Sequence, residues 1–272
     1  MIPIIKDIIT YRELLVILSW KNIVVRYKQA YLGLFWTVLK PLMLMLIFTL
    51  VRSFVGIDSG NVPYPILTFA ALMPWVFFQE SASDGVNSVV SNASLIKKIY
   101  FPREIFPLSS ILTKFTELGV SFIILAVLMV YYKMMPTIYI VWVPLIIIYT
   151  IVVSLCISLA GSAINTYYRD VTSALPVALS LLMYASPVIY PLSLVQQKLL
   201  VNQAAGEWSN TLYTVYTLNP MTGIIDSFQR VLLRGQPPDF HAVWPGLFLT
   251  ALMLPLSYKI FKRAESYFAD II

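Results

Sequence analysis

Charge is what this sequence has least of. Only 12% of its 272 residues are Asp, Glu, Lys or Arg, against about 25% in an ordinary soluble domain. So few charges cannot cover a water-facing surface, which excludes a soluble globular fold. The 59% of residues that are hydrophobic suit a surface solvated by lipid tails. Two uncharged runs say the same: Met134 to Tyr168 contains no charged residue, nor does Val171 to Gln197. Each exceeds the roughly 20 apolar residues a helix needs to cross a bilayer. The competing reading, buried helices of a large soluble protein, fails because such helices are shorter and have polar faces.

Other scarcities exclude chemistry. A single cysteine, Cys156, rules out an intrachain disulfide and reads as a buried structural thiol. The only histidine, His241, has no Cys or His near it, which argues against zinc. The 13 acids are scattered, whereas a membrane enzyme working by acid–base or metal chemistry wants them clustered. There is no loop with Walker A spacing and no Gly-Lys-Ser or Gly-Lys-Thr, so the chain has no P-loop for ATP. An ion-coupled secondary transporter would show internal repeats and acids near the bilayer midplane. No repeat is visible, and only Glu80 is placed as such an acid. Met1 to Tyr11 carries Lys6 and Asp7 with no small-residue cleavage site, so no signal peptide is expected.

What remains is an all-α integral membrane protein. Hydropathy and Gly/Pro punctuation place six spans at about 34–55, 65–88, 109–132, 138–162, 173–191 and 243–261. Pro74, Pro144, Pro176 and Pro255 fall inside spans, where neighbours can re-satisfy the freed carbonyls. These spans sort the cations. Lys6, Arg12, Lys21, Arg26, Lys28, Lys40, Lys97, Lys98, Arg103, Lys114, Arg169, Lys259, Lys262 and Arg263 fall on one side. Arg52, Lys133, Lys198, Arg230 and Arg234 fall on the other, three of them in the long segment 192–242. The richer side is the expected cytoplasmic one, with both termini inside.

Residues 11–33 read as an amphipathic helix on the membrane surface. Val16, Trp20, Ile23, Val24, Tyr27 and Tyr31 share one face, and Lys21, Asn22, Arg26, Lys28 and Gln29 oppose it; Leu18 and Val25 break the polar side. It is either a plain anchor or a lid over a cytoplasmic entrance that meets lipid phosphates, with Trp20, Arg26, Tyr27, Lys28, Tyr31 and Trp36 as its working residues. The loop after the second span mixes Leu95, Ile96, Ile99, Tyr100, Phe101, Ile105 and Phe106 with Lys97, Lys98, Arg103 and Glu104, around Pro102 and Pro107. Charge alone would satisfy topology, whereas exposed apolar residues gain nothing in water. A short helix docking into a partner's groove accounts for both, and an ordinary interfacial loop is the alternative.

Arg169 and Asp170 are the only charges between Lys133 and Lys198, either a tight topological turn or a second cytoplasmic contact. Ser186-Pro-Val-Ile-Tyr-Pro191 ends the fifth span with Pro187 and Pro191, which break helices. The moderately apolar segment that follows suggests short helices dipping into the outer leaflet. Asn219 or Thr222 is available to cap a helix starting at Pro220. Glu80, with Asp84 one turn on, either lines a polar passage or pairs with Lys114 or Arg26.

Six pieces in register with these spans carry a resemblance. They are Arg26-Tyr-Lys-Gln-Ala-Tyr-Leu-Gly-Leu-Phe-Trp36 with Lys40-Pro41; Leu72-Met-Pro-Trp-Val-Phe-Phe78; Leu95-Ile-Lys-Lys-Ile-Tyr-Phe-Pro-Arg-Glu104; Tyr168-Arg-Asp170; Ser186 to Pro191; and Asn219-Pro-Met221. From about residue 10 to the C-terminus the chain resembles the permease subunit of type-2 ABC exporters that move polysaccharides such as O-antigen, capsule or teichoic acid. The resemblance implies one transmembrane domain over residues 1–272 in a bacterial cytoplasmic membrane, with no metal, cofactor or nucleic acid of its own. It implies a homodimer with two ATP-binding cassette subunits that hold ATP and Mg, and a lipid-linked glycan passing between the two permease copies. It makes Leu95–Glu104 a coupling helix, and Ser186, Pro187, Pro191, Asn219 and Pro220 part of an outer gate of re-entrant helices. It places Trp75, Phe77, Phe78, Glu80, Tyr184 and Tyr190 on the spans that line the conduit. Sugars stack on such rings, and membrane interfaces collect the same residues. An exporter of a lipid or drug is the nearest alternative.

Overall fold

The computed structural model describes residues 9–28, 33, 35–56, 60, 62–99, 101–204 and 209–268. Tyr31 and Tyr100 lie outside them, as do residues 29–32 of the expected surface helix. The described residues form helices, with no strand among them. They are α1 (Arg12–Tyr27), α2 (Phe35–Val55), α3 (Tyr64–Ser91), α4 (Ala93–Ile96), α5 (Ile105–Thr113), α6 (Phe115–Tyr131), α7 (Val143–Tyr167), α8 (Val171–Tyr184), α9 (Leu192–Ala204), α10 (Ser209–Thr217), α11 (Pro220–Gln229) and α12 (Phe240–Glu265). A 3₁₀ turn, Ile138–Trp142, leads into α7, and a π turn, Arg230–Arg234, ends α11.

Local chemistry sets several of the starts. Pro65 and Pro144 occupy the first turns of α3 and α7, where their missing N–H groups go unused. The side chains of Asn219 and Asp239 cap α11 and α12 by accepting from the N–H of Met221 and His241.

Four helical stretches are long and apolar enough to cross a membrane: Phe35–Val55, Ile105–Tyr131, Ile138–Tyr167 and Phe240–Glu265. This is consistent with a multi-pass integral membrane protein, and the second, third and fifth of the six expected spans differ from expectation. The second, α3, has 28 residues but is too polar to qualify by composition. It packs against α2, α5, α6, α7, α8 and α11, so most of its surface meets protein rather than lipid and has no need of a uniform apolar coat. The fifth, expected over 173–191, stops at Tyr184 and continues as turns. Its 14 residues reach about 21 Å, short of the roughly 30 Å hydrocarbon core. The third breaks at Lys114 into α5 and α6.

The closest packing is between α3 and α7, which run parallel. A Cβ on Gly85 would lie 2.1 Å from Ser158 Oγ, and one on Gly161 would lie 2.5 Å from Val86 Cγ2. Ser81, Ser154, Ser158 and Ser162 are fully buried nearby. Small residues let helix backbones approach where lipid offers no hydrophobic drive to association.

Contacts sort the bundle into two ends. Arg26, Lys40, Lys97, Lys98, Arg103, Lys114, Arg169, Lys262 and Arg263 gather at one, tied together by contacts such as Thr172–Asn87 (2.7 Å) and Lys262–Glu104 (2.6 Å). The far end holds the Tyr64–Ile189 hydrogen bond (2.6 Å), Arg52 stacked over Tyr64, and helices α9 to α11.

Candidate functional site

At the cation-rich end, six charges from five elements meet. Lys114, at the break between α5 and α6, is 1% exposed and reaches Glu80 (3.3 Å), Asp84 (3.0 Å) and Glu117 (3.1 Å). Lys40 of α2 pairs with Glu80 at 3.0 Å. Arg26 of α1 pairs with Glu117 at 2.8 Å and with Asp84. Three cations meet three carboxylates, so the cluster is neutral. Burying Lys114 alone would be costly, and the surrounding carboxylates make it tolerable. Burial works against the Arg26 charge, but Asp84 and Glu117 outweigh it and hold the guanidinium above its ordinary pKa. Burial and the Glu117 carboxylate both push the Tyr27 phenol up; its hydroxyl donates to Glu117 at 3.1 Å.

Arg26 divides two clefts. One, of about 290 Å³, is lined by Arg26, Tyr27, Gly33, Trp36, Thr37, Lys40, Val76, Glu80 and Glu117. The other, of about 320 Å³, has the polar residues Asn22, Asp84, Asn87, Ser88, Ser91, Asn92, Ser110 and Thr113 on its walls beside Val25 and Arg26. The first offers an aromatic face at Trp36, 56% exposed, beside two cations. The second offers amides and hydroxyls. Among the described residues no group of His, Cys, Asp or Glu is placed to hold a metal.

Glu80 is paired and also lines the first cleft, so both sequence alternatives meet at one residue. Lys114 is the partner anticipated, while Arg26 goes to Asp84 and Glu117. Glu117 went unnoticed in the sequence, although its spacing of three from Lys114 at a helix start was a signal. In α1 the supposed flaw is the docking face. Leu15, Leu18 and Ser19 are buried against α5, with Arg26 at the end of the same stripe. Val16 and Trp20, expected as one surface, are 63% and 65% exposed on another. Lys28 follows as an exposed turn residue.

The docking loop needs correction. Among the loop's described residues, only Ala93–Ile96 is helical. Phe101 is 6% exposed and packs on Phe106, ring centroids 5.2 Å apart. Ile96 is buried, Leu95 and Pro102 are half-buried, and Glu104 is 2% exposed, paired with Lys262. The apolar residues thus serve the chain's own core, leaving Lys97, Lys98 and Ile99 outward. Trp75, Phe77 and Phe78 are likewise 0%, 5% and 1% exposed, core residues rather than lining of an open passage within one chain. Tyr184 is exposed at 58%, and Tyr190 donates to its carbonyl at 3.3 Å.

At the far end Asn219 donates to Ser186 Oγ at 2.8 Å, and Pro187 and Pro191 are buried, so the expected gate residues Ser186 and Asn219 do meet. Arg169 and Asp170 are both exposed at the α7–α8 turn.

Residues 13–233 match the family described as ABC-2 type transporter. The chain is 28% identical over 273 residues to an O-antigen export system permease protein RfbA of Myxococcus xanthus, covering 100% of each. It is 26% and 25% identical to two proteins of the same description from Klebsiella pneumoniae, covering 96% of this chain and 95% of each.

Proposed function

Because the chain belongs to the ABC-2 type transporter family, we propose that it is the membrane permease of an ATP-driven exporter of a lipid-linked polysaccharide of the O-antigen type. Its partners are a second copy of itself and two ATP-binding cassette subunits carrying ATP and Mg. The supporting observation is the neutral six-charge cluster beside two clefts at the cation-rich end. A phosphate-bearing headgroup can compete for Arg26 and Lys40, while Trp36 offers a ring to a sugar face and the amide-lined cleft offers hydrogen bonds. In this reading α3 and α8 complete six spans in a bacterial inner membrane, α8 with the help of residues 185–191. Helices α9 to α11 lie in the outer leaflet, and both termini are inside. Lys97, Lys98 and Ile99 meet the ATPase, with Arg169 and Asp170 beside them.

The test is reconstitution in liposomes. The chain alone should neither hydrolyse ATP nor move a glycolipid; with its ATPase it should do both. Lys97→Glu/Lys98→Glu, on exposed positions, should leave insertion intact and remove co-purification with the ATPase. Hydrolysis by the isolated chain would exclude the permease reading, and normal co-purification of the charge-reversed loop would exclude the docking reading.

Topology is tested separately. In a Cys156→Ser background, cysteines at Lys97 and at Met135, which is 85% exposed, should react with an impermeant thiol reagent from opposite sides. Labelling from one side would overturn the six-span arrangement.

A further inference from the structure

The loop that carries Lys97 and Lys98 is tied to the other end of the molecule by a single helix. Glu104 and Lys262 are 2.6 Å apart, and Lys262 also holds Glu265 at 2.8 Å. The Arg103 backbone N–H donates to the Glu265 carboxylate at 3.1 Å, and its guanidinium donates to the Glu265 carbonyl. The Arg103 guanidinium also lies over the ring of Phe268, which packs on Phe261; both rings are 0% exposed. Two neighbouring loop residues are therefore fastened to the last turn of α12 by charge, hydrogen bond and ring contact.

From there α12 runs as one helix of 26 residues, about 39 Å at 1.5 Å per residue. At its start it is locked to α11 backbone against backbone. A Cβ on Gly246 would sit 2.7 Å from Pro220 Cα, and one on Gly223 would sit 2.8 Å from the Ala242 carbonyl and from Val243 Cα. With no side chain between them, neither helix can slide without carrying the other. Close-packed elements move as bodies and pass on small shifts instead of absorbing them. Pro245 and Pro255 interrupt the backbone hydrogen bonds of α12, yet the helix continues through both.

We propose that the Arg103/Glu104–Lys262/Glu265 strap is a positioning device that transmits motion of the docking loop through α12 to α11 at the far end; this rests on reading Lys97 to Ile99 as the ATPase contact. The strap residues touch neither nucleotide nor cargo. They keep two distant parts of the permease in step.

The test uses the assembled permease–ATPase complex. Glu104→Gln/Lys262→Met removes both charges of the buried pair together; Glu265 loses Lys262 but keeps the Arg103 backbone N–H. Accumulation, co-purification and ATP hydrolysis should stay at wild-type level, while glycolipid moved per ATP falls about tenfold, within the usual range of coupling between sites. Glu104→Lys/Lys262→Glu/Glu265→Gln, which restores attraction without setting two carboxylates side by side, should recover export. Wild-type export per ATP in the neutral variant, with co-purification intact, overturns the strap and leaves docking untouched. Continued co-purification of Lys97→Glu/Lys98→Glu overturns docking instead.

A second measurement needs no change at the strap. In a Cys156→Ser background a cysteine at Leu212, exposed on α10 and packed near α11 and α12, should change its labelling rate when ATP binds. It should lose that response in the neutral variant. An ATP-insensitive rate with the wild-type strap overturns the proposal even if the neutral variant fails to accumulate.

Discussion

Lys114→Met should empty the membrane of most of this protein. The side chain is 1% exposed and faces three carboxylates at 3.0–3.3 Å. Methionine fills a similar volume but removes the charge that lets those acids share one site. Arg26 and Lys40 would remain, two cations against three acids, and neither occupies the centre. Breaking a buried charge group by deleting one partner costs about 3–5 kcal/mol, a large share of the roughly 5–15 kcal/mol that holds a typical protein folded. The expected readout is a steep loss of full-length permease in membranes and a lower melting temperature after purification. Adding Asp84→Asn restores the charge balance and should recover much of both. A melting temperature unchanged by Lys114→Met would mean that the acids are not held by this lysine.

Gly85→Ala should be almost as damaging, though it adds a single methyl group. That methyl would stand 2.1 Å from Ser158 Oγ and 2.5 Å from Ser158 Cβ. The hydroxyl can rotate away, but the Cβ is fixed to the α7 backbone, so α3 and α7 must separate. Overpacking typically costs about 1–3 kcal/mol, and the strain falls on the most extensive helix pair in the bundle. Ser158→Gly in the same chain removes the obstructing atoms and should return the melting temperature toward wild type. The two changes should therefore be strongly non-additive. If they add, the helices are not in contact at this point.

Span positions were legible where a helix faces lipid. The expected 34–55 and 243–261 correspond to Phe35–Val55 and Phe240–Glu265, because hydropathy reads the solvent a helix meets. The expected 65–88 is likewise matched by the helix Tyr64–Ser91, but hydropathy does not reveal that protein is its solvent. Helix α3 is clad by its neighbours and tolerates Glu80 and Asp84, so its polarity reflects partners far away in sequence. Phe101 was misread for the same reason: its apolar character looked exposed, and it packs on Phe106 of α5 instead. Leu18 looked like an error in an amphipathic pattern because the pattern assumed two environments, membrane and water. Helix α1 meets a third, the surface of α5. The charge cluster was half visible, since Glu80 could be matched with Lys114 by sign and depth. The allocation of Arg26 to Asp84 and Glu117 depends on how α1 crosses the bundle, which no local pattern encodes.

The distance along the chain between Arg26 and Glu117, 91 residues, also sets an order of events during synthesis. When Arg26 leaves the ribosome its acidic partners do not yet exist. At about 5–20 residues per second, the last of them follows roughly 5 to 18 seconds later. In that interval Arg26 and Lys40 are uncompensated cations flanking the first hydrophobic segment, the condition under which positive charge directs which side a segment's ends take. Once Glu80, Asp84 and Glu117 have arrived, Lys40 can pair with the first and Arg26 with the other two, and α1 can dock on the bundle. In the finished fold these cations are paired and serve as a joint between α1, α2, α3 and α6.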